Sequence, residues 1–288
     1  MILLDGKKVS KDRSLLLKNK VASFTVAPTL AILQVGDDER SGAYIRQKKL
    51  FGEKIGCKVL HISFPEKADS KEIFEKIKML NADTSVHGII LQLPVPSHLN
   101  SQFIIESIDP RKDVDGLHSE NAKKLSDGDT SGFIPATAKG VISLLDAYKI
   151  PIKNKKATVV GRSALVGTPT ALCLKNRGAE VTVVHRGTEN IPGKTKSADI
   201  LVVAAGHPKL IDVRHVSPGS CVIDVGINLV TGEKLEDEIP KKKLVGDVDF
   251  EAVKGIVEAI SPVPGGVGPM TVLSLFENLV LAYERSRK

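Results

Sequence analysis

Short runs of apolar, β-branched residues alternate along the chain with longer segments in which apolar residues recur every three or four positions. The first pattern predicts buried strands and the second predicts amphipathic helices. The predicted strands are Thr29–Val35, Lys58–Phe64, Gly88–Leu93, Ala157–Val160, Glu180–His185, Ile200–Ala204 and Cys221–Val225. The predicted helices are Lys11–Phe24, Ser41–Ile55, Ser70–Asn81, Ala138–Tyr148, Thr168–Asn176 and Met270–Arg285. Strands that alternate with helices of this length predict an α/β fold with parallel sheets.

The alternating pattern forms two series, separated by a polar, glycine-containing stretch from Ser126 to Phe133. Such a composition is typical of a loop. A chain of 288 residues is also long enough for two domains. The sequence therefore predicts two α/β domains, with the boundary near Pro135–Gly140.

Charge and composition exclude several classes of protein. The net charge of +7 is spread along the chain, and its one compact basic run, Lys241 to Lys243, lies beside acidic residues and is predicted to be a surface turn. Aromatic residues make up only 4%, and none alternate with basic residues as in a single-strand binding surface, so no nucleic-acid partner is expected. No run approaches the roughly 20 apolar residues of a membrane span. The three cysteines have neither metal-ligand nor disulfide spacing, which favours a cytoplasmic location.

The segment Ser261–Thr271 contains three prolines and three glycines within nine residues. It cannot be helix or central strand, because proline lacks a donor and glycine costs backbone entropy. Two interpretations remain open at this point. The segment is either a ligand-facing turn or a linker that leads into the last helix.

A glycine turn follows the predicted strand Ala157–Val160. Gly161 and Gly167 bracket this turn, and Ser163 stands where a dinucleotide-binding motif usually has its second glycine. A strand, a glycine turn and a helix in this order place a helix N-terminus towards a pyrophosphate. A plain strand-to-helix turn explains the same residues.

The end of the next predicted strand bears on the choice of nucleotide. NAD-binding proteins usually carry a carboxylate there, which binds the ribose hydroxyls. This chain has His185-Arg186-Gly-Thr188 instead. Arg186 and Arg162 are therefore two cations that can bind the 2′-phosphate of NADP. The pattern favours NADP. The alternative is that Arg186 is a solvated loop residue.

Lys48 is a charged residue in the middle of an apolar helix face. At about 100° per residue, Tyr44, Lys48, Phe51 and Ile55 share one stripe of the helix Ser41–Ile55. The stem of a lysine can pass along apolar side chains to water. The alternative is a desolvated amine whose lowered pKa suits it to acid/base catalysis.

Two polar groups nearby extend this candidate site. Gln92 comes late in an apolar strand, where strand ends face the ligand crevice of α/β sheets. It is either a site residue or a buried amide that satisfies its neighbours. Asp113 and Asp115 can cap a turn or bind a metal, but no partner His or Glu cluster accompanies them. No metal is therefore expected.

Together these residues resemble the bifunctional methylenetetrahydrofolate dehydrogenase/methenyltetrahydrofolate cyclohydrolase family over nearly the whole chain. The motifs that carry the resemblance are Val35-Gly-Asp-Asp…Ser41-x-x-Tyr44-x-x-x-Lys48, Gly88…Gln92-Leu-Pro-Val-Pro96, Lys112-Asp-Val-Asp-Gly116, Gly161-Arg-Ser…Val166-Gly, Asp224-Val-Gly-Ile-Asn228, Gly246-Asp-Val-Asp-Phe250 and the Ser261–Thr271 segment. The resemblance implies a catalytic, folate-binding domain at residues 1–137, completed by residues 265–288, and a Rossmann NADP-binding domain at 138–264. The last helix is expected to return to the first domain, and the assembly is expected to be a homodimer.

The resemblance also implies a role for each site residue. Lys48 is expected to be the general acid/base, Gln92 to position it, Tyr44 to stack on the folate and Asp115 to hold the amino-pyrimidine edge of the pterin. Pro264 and Gly265 are expected near the folate and the nicotinamide. The residues expected to contact NADP are Gly161, Arg162, Ser163, Arg186, Thr188, Ile227 and Thr137.

The implied activity is oxidation of 5,10-methylenetetrahydrofolate with NADP, followed by hydrolysis of the methenyl product to 10-formyltetrahydrofolate. Such an enzyme serves one-carbon metabolism and purine biosynthesis. Two alternatives remain open on sequence alone, namely an enzyme with only the dehydrogenase activity and a non-catalytic, NADP-binding regulatory protein of the same fold.

The chain departs from the family pattern in two places. It has Pro135-Ala-Thr-Ala-Lys-Gly140 where the family commonly shows Pro-Cys-Thr-Pro-x-Gly. Thr137 is still expected to cap the following helix, although the proline of its first turn is missing. The family often has serine where this chain has Arg186, and the exchange is expected to strengthen phosphate recognition.

Overall fold

The structure, a computed structural model, describes residues 1–231 and 242–287. These residues form two compact units. The six-stranded unit comprises Met1–Ser10 and Thr137–Thr271, and the three-stranded unit comprises Lys11–Ala136 and the chain from Val272 onwards. The chain passes from one unit to the other between Ala136 and Thr137 and again between Thr271 and Val272. The partition into a catalytic and an NADP-binding domain stays a prediction. The first ten residues fall in the six-stranded unit, unlike in the predicted partition, because Ile2 pairs with Ala259.

The described residues contain strands and helices in alternation. The strands are β1 (Ile2–Leu3), β2 (Thr29–Val35), β3 (Lys58–Phe64), β4 (Gly88–Leu91), β5 (Lys156–Val160), β6 (Glu180–Val184), β7 (Ile200–Val203), β8 (Cys221–Asp224), β9 (Asn228–Thr231), β10 (Lys242–Val245) and β11 (Ala259–Ile260). The helices are α1 (Gly6–Ala22), α2 (Glu39–Ile55), α3 (Ser70–Ala82), α4 (Ser101–Glu106), α5 (Ser119–Ser126), α6 (Ala136–Ala147), α7 (Gly167–Asn176), α8 (Ile191–Lys196), α9 (Phe250–Val253) and α10 (Val267–Ser286). None of the helices in these two ranges is both long enough and apolar enough to cross a membrane.

The three-stranded unit is built on a parallel sheet of order β3-β2-β4. Its central strand, β2, is buried along its whole length, as its mainly apolar composition predicts. Helix α10 from Val272 onwards belongs to this unit. There Phe276 packs against Phe51, with ring centroids 5.2 Å apart, and Asn278 donates hydrogen bonds to the carbonyl groups of Val114 and Ile134. The predicted return of the last helix is confirmed.

The six-stranded unit contains a parallel sheet of order β1-β11-β8-β7-β5-β6. The chain leaves β5 to one side for β6 and then crosses to the other side for β7. Such a reversal is a topological switch point, and ligands of open α/β sheets bind outside the carboxyl ends of the strands at that point. The residues that follow β5, β7 and β8 therefore line the expected nucleotide crevice.

The predicted surface turn at Lys241–Lys243 falls partly outside the described residues, which resume at Lys242. Lys242 and Lys243 are the first residues of β10, which pairs antiparallel with β9. The prediction of a turn is therefore wrong for these two lysines. The charged residues led to the prediction of a turn, but a strand at the edge of a two-stranded hairpin tolerates lysine.

Candidate functional site

Helix α2 holds Lys48 in a fixed position. The carboxylate of Asp38 accepts a hydrogen bond from the backbone N–H of Ser41 at 2.8 Å, and Gly56 ends the helix in the left-handed conformation. The predicted stripe is buried towards the end of the helix, where Ile55 is 1% exposed, and opens at Tyr44, which is 36% exposed. Lys48 lies between them and is half-buried. The stripe therefore presents Lys48 at the border of the core.

Gln92 follows β4 and reaches Lys48. The Lys48 Nζ donates to the Gln92 Oε1 at 2.9 Å. The Gln92 Nε2 donates to the carbonyl oxygen of Leu93 at 2.8 Å, which fixes the orientation of the amide and leaves Oε1 for the lysine. Gln92 is only 8% exposed, so this contact is made in a largely dry environment.

Asp115 completes the site from a tight turn. Asp113 accepts hydrogen bonds from the backbone N–H groups of Gly116 and His118 and from Asn121, so it caps the turn. Gly116 adopts φ +75°, and a Cβ there would lie 2.7 Å from the backbone nitrogen of Pro135. The turn thereby sets Asp115 within electrostatic reach of Lys48.

Burial and mutual electrostatic interaction shift the pKa values of Lys48 and Asp115. Burial lowers the pKa of Lys48 below its ordinary value, and the nearby Asp115 carboxylate opposes that shift. The pKa of Asp115 is raised to about 6, mainly by burial. The charge of Lys48 opposes this shift, and the charge of Asp113 contributes to it. A lysine with a lowered pKa can release and regain a proton near neutrality. The structure therefore brings together Lys48, Gln92 and Asp115, with Tyr44 one turn away on the same helix.

In the six-stranded unit, the loop with Pro264 and Gly265 is fixed at several points. The backbone N–H of Gly266 donates to the carbonyl of Pro262 at 2.8 Å, and that of Lys7 donates to the carbonyl of Gly265 at 3.0 Å. Gly265 adopts φ +113°, which a residue with a side chain rarely adopts. This loop is therefore a rigid turn rather than a flexible linker. Its two predicted site residues stay predictions as ligand contacts.

The glycine turn after β5 is as tight as the sequence predicts. A Cβ at Gly161 would lie 2.2 Å from the carbonyl oxygen of Ala204, and one at Gly167 would lie 2.3 Å from the carbonyl oxygen of Gly161. The Ser163 Oγ accepts from the backbone N–H groups of Val166 and Gly167, both at 3.3 Å. The backbone thus folds on itself at the start of α7, where a Cβ at either glycine would collide with the main chain.

The two arginines of the predicted phosphate site are exposed. Arg162 follows the glycine turn and Arg186 follows β6, and neither forms an ion pair with any residue in the described ranges. No carboxylate ends β6. The backbone N–H of His185 instead donates to the Thr188 Oγ1 at 2.9 Å, which closes a turn around Arg186. The site therefore fits a ribose phosphate better than a bare ribose.

Two further predicted contacts lie elsewhere in the six-stranded unit. Ile227 follows β8 and is 44% exposed, at the carboxyl edge of the sheet. Thr137 lies inside α6, which begins one residue earlier at Ala136, so the prediction that Thr137 caps the helix is wrong. Its Oγ1 instead accepts from the Thr271 hydroxyl at 3.4 Å.

The sequence did not assign roles to Asp224 and Asp247, which organise the same edge of the sheet. Asp247 accepts from three consecutive backbone N–H groups, those of Ala205, Gly206 and His207, at 2.7 to 2.9 Å. It also accepts from the side chain of Asn228 at 2.8 Å.

Asp224 in turn accepts from the backbone N–H groups of Asp247 and Val248. The pKa of Asp224 is raised to about 7, mainly by burial. The charge of Asp247 contributes to this shift, and the backbone hydrogen bonds oppose it. The two carboxylates together hold the loops that follow β7 and β8. For Asp224 the signal in the sequence was its position directly after an apolar run, whereas Asp247 follows Gly246 and carried no such signal.

These features define a class of protein before any comparison. The six-stranded unit has a parallel sheet with a switch point, a tight glycine turn and two arginines that form no ion pair among the described residues. These are the features of a dinucleotide-binding unit. A lysine–glutamine–aspartate group at a sheet edge makes an acid/base site. The chain is thus a nucleotide-dependent enzyme of α/β fold.

Comparison with known proteins identifies the family. The sequence models described as the catalytic domain and the NAD(P)-binding domain of tetrahydrofolate dehydrogenase/cyclohydrolase match residues 4–115 and 135–287. The bifunctional protein FolD of Prochlorococcus marinus (strain NATL1A) is 46% identical over 98% of this chain and 95% of its own. The chain belongs to the tetrahydrofolate dehydrogenase/cyclohydrolase family.

Solved structures agree with that assignment. The crystal structure of the bifunctional enzyme FolD, a methylenetetrahydrofolate dehydrogenase/cyclohydrolase from Campylobacter jejuni, has a TM-score of 0.93 and 42% identity, and the match covers 99% of both chains. The enzyme of Trypanosoma brucei, in complex with NADP cofactor and an inhibitor, has a TM-score of 0.94 and 32% identity. That match covers 100% of this chain and 99% of the other.

Proposed function

We propose that the chain oxidises 5,10-methylenetetrahydrofolate to the methenyl compound with NADP and hydrolyses that product to 10-formyltetrahydrofolate. The observation that carries the proposal is the 2.9 Å contact between Lys48 and Gln92 beside Asp115. A protein that only bound a nucleotide would have no use for a lysine with a lowered pKa at the edge of its core. The relatives from Campylobacter jejuni and Trypanosoma brucei are both named as dehydrogenase and cyclohydrolase.

The three-stranded unit is the folate-binding part of this proposal. Asp115 offers two carboxylate oxygens to the adjacent N–H groups of the amino-pyrimidine ring. Tyr44 is exposed on the same helix as Lys48, and its ring can stack on the folate rings. Pro264 and Gly265, in their rigid turn, contribute apolar contacts to the folate and the nicotinamide.

The six-stranded unit is the NADP-binding part. Its collapsed glycine turn and the start of α7 suit the pyrophosphate, and Arg162 and Arg186 suit the 2′-phosphate. Gly161, Ser163, Thr188, Ile227 and Thr137 are the remaining residues that would hold it. When bound, NADP supplies the acceptor for the hydride that leaves the methylene carbon. The loops held by Asp247 keep this edge of the sheet in one shape.

The hydrolysis step uses Lys48 most directly. Water adds to the methenyl carbon, and one of its two protons passes to the Nζ of a neutral Lys48. Lys48 then gives this proton to the ring nitrogen as one carbon–nitrogen bond breaks, and the remaining hydroxyl proton leaves as the formyl carbon–oxygen double bond forms. One proton is released overall. Acid/base help of this kind is worth roughly 10²–10⁴ in rate. The Gln92 Oε1 keeps the amine aimed at this carbon.

We also propose that the enzyme acts as a homodimer in the cytoplasm, where it supplies one-carbon units for purine biosynthesis. The three cysteines are free and buried, which suits a reducing compartment. Sedimentation velocity of the purified chain tests the assembly, and a single species of one chain's mass would contradict the dimer.

A coupled product assay tests the proposal as a whole. The purified chain is given methylenetetrahydrofolate and NADP, and NADPH, methenyltetrahydrofolate and 10-formyltetrahydrofolate are measured together. We expect NADPH and the formyl product to appear in equal amounts. NADPH with only the methenyl product would leave a dehydrogenase without hydrolase activity. Neither product, from folded chain that binds NADP, would favour a regulatory protein.

A further inference from the structure

A second cavity lies in the three-stranded unit, at the opposite end of β4 from Gln92. It has a volume of about 840 Å³ and is lined by residues that flank the amino end of this strand, His87 among them. His87 and Gln92 directly flank β4. They are five positions apart, which along a strand is a distance of roughly 16 Å. The cavity is therefore separate from the Lys48 site, and the proposed function does not use it.

The cavity is rich in positive charge. Among the described residues that line it there are five cations and one carboxylate, Asp109. The cations are Arg111, Lys112, Lys124, Arg285 and Arg287. Asp109 and Glu120 pair with Arg111 and Lys124, at 2.6 Å and 2.7 Å. The other three cations form no ion pair within the described ranges.

These three cations are held in place by contacts with uncharged groups, although Asp109 and Asp83 act on the charge of Lys112 and Asp129 interacts with Arg285. The Lys112 Nζ donates to the carbonyl groups of Leu80 and Asp83, at 2.9 Å and 2.7 Å, which leaves one of its three donors for a ligand. The guanidinium of Arg285 lies 4.9 Å from the ring centre of Phe133. A cation fixed in advance loses less side-chain entropy when an anion binds.

Arg287 is held in the same manner, with its guanidinium 5.2 Å from the ring centre of Tyr283. Two further carboxylates, those of Asp83 and Asp129, lie outside the cavity lining. They accept hydrogen bonds from Ser85 and Ser131. Positive charge therefore exceeds negative charge on the cavity wall.

The remaining wall decides what kind of anion fits. Val26, which is 43% exposed, and the half-buried Pro110 give apolar surface beside the cations, while Val86, Phe133 and Ala282 are almost wholly buried behind it. A volume of this size is typical of sites for small organic molecules. A bare inorganic ion would leave most of the apolar wall in water.

We propose that this cavity binds a small organic anion, with phosphate or carboxylate groups on Arg285, Arg287 and Lys112 and a flat apolar part against Val26 and Pro110. The site is separate from the folate and NADP sites. Arginine recognises phosphate and carboxylate with the same pair of donors, so both sources share this chemistry.

The test is an NMR titration of the full chain with NADP present, so that the cofactor site is occupied. The probes are phenyl phosphate, isophthalate and inorganic phosphate. We expect phenyl phosphate or isophthalate to shift backbone amides at 84–87, 109–112 and 131–133 in a saturable manner. Inorganic phosphate should bind more weakly, because it has no apolar part. Equal affinity for phosphate and phenyl phosphate would overturn the proposal, and so would the absence of saturable shifts at these amides.

Paired variants complete the test. The double substitution Arg285→Ala with Arg287→Ala should weaken binding by about tenfold or more. The matched control, Lys18→Ala with Lys71→Ala, removes two exposed cations of the same unit that do not line the cavity and should leave binding unchanged. Equal weakening in both would show only non-specific attraction and would overturn the proposal. Should the first pair fail to fold, Arg287→Glu alone should abolish binding, and retained binding would overturn the proposal.

Discussion

The Nζ of Lys48 and the Oε1 of Gln92 lie 2.9 Å apart, although the two residues are 44 positions apart in the sequence. The contact depends on α2, which packs against β3, and on the end of β4, which pairs with β2 in the same sheet. The backbone N–H of Gln92 donates to the carbonyl of Leu33 at 2.8 Å, so the sheet itself aligns the amide with the lysine. An acid/base group built in this way is as rigid as the core beneath it.

Substitution Lys48→Met should remove the hydrolase activity more completely than the dehydrogenase activity. Hydrolysis needs a proton carrier at one carbon, whereas hydride transfer depends mainly on geometry. We expect the hydrolase rate to fall by roughly 10²–10⁴. Both rates are measured on one preparation, with circular dichroism to check folding.

The control for that experiment is Lys49→Met, the same change on the adjacent residue. Lys49 contacts His61 at 3.1 Å rather than Gln92, so both activities should persist. Equal loss of both activities in folded Lys48→Met protein would contradict the assigned role of the lysine.

Changes at Gln92 should move the pH dependence of hydrolysis in opposite directions. Gln92→Leu removes an acceptor that stabilises the ammonium form, so the pKa of Lys48 should fall and its limb of the profile should shift to lower pH. Gln92→Glu adds a negative charge, so that limb should shift to higher pH by roughly 1–3 units. The exposed Gln47 offers the control Gln47→Leu. A profile unmoved by both changes would show that Gln92 does not tune the lysine.

Folate binding should weaken in acid because of Asp115. Its pKa is raised to about 6, mainly by burial, so the carboxylate gains a proton as the pH falls through that value. The protonated form loses its charge-assisted hydrogen bonds to the pterin. We expect the KM for methylenetetrahydrofolate to rise below about pH 6, and Asp115→Asn should show a high KM at every pH. A KM in the unaltered chain that does not change across this range would contradict the assignment.

Discrimination between NADP and NAD should depend on Arg186 and Arg162. Each charge-assisted hydrogen bond is worth roughly 1.5–3 kcal/mol, so Arg186→Ser should raise the KM for NADP by about tenfold or more. The KM for NAD should not change, since NAD has no 2′-phosphate. Arg214→Ser is the control, because Arg214 pairs with Asp212 at 2.7 Å. A similar rise for both nucleotides would place Arg186 on a part of the cofactor that they share.

Much of this fold can be predicted from the sequence because its strands are long or wholly buried. Thr29–Val35 and Lys58–Phe64 match β2 and β3 residue for residue. The strands β1 and β11 were missed, since two residues carry no periodicity and these strands form only by pairing with segments distant in the chain. The short helices α4 and α8, of six residues each, were missed for the same reason.

The candidate site was predictable where one element carries the signal. Lys48 stood out on its helix face, and the glycine turn stood out after its strand. The hydrogen bonds of Asp247 to the loop at 205–207 were not predictable, because they join segments about 40 residues apart and a buried aspartate looks like any other in the sequence. The second cavity is a similar case. Its wall combines side chains from Val26 to Arg287, and only the folded chain brings them together.

The most direct test of the central claim is the initial rate of nicotinamide reduction with methylenetetrahydrofolate and either NADP or NAD. The purified chain should reduce NADP rapidly and NAD poorly, which would establish the dehydrogenase and its phosphate recognition together. No reduction of either nucleotide, by folded protein that binds NADP, would contradict the assignment of this chain as an enzyme.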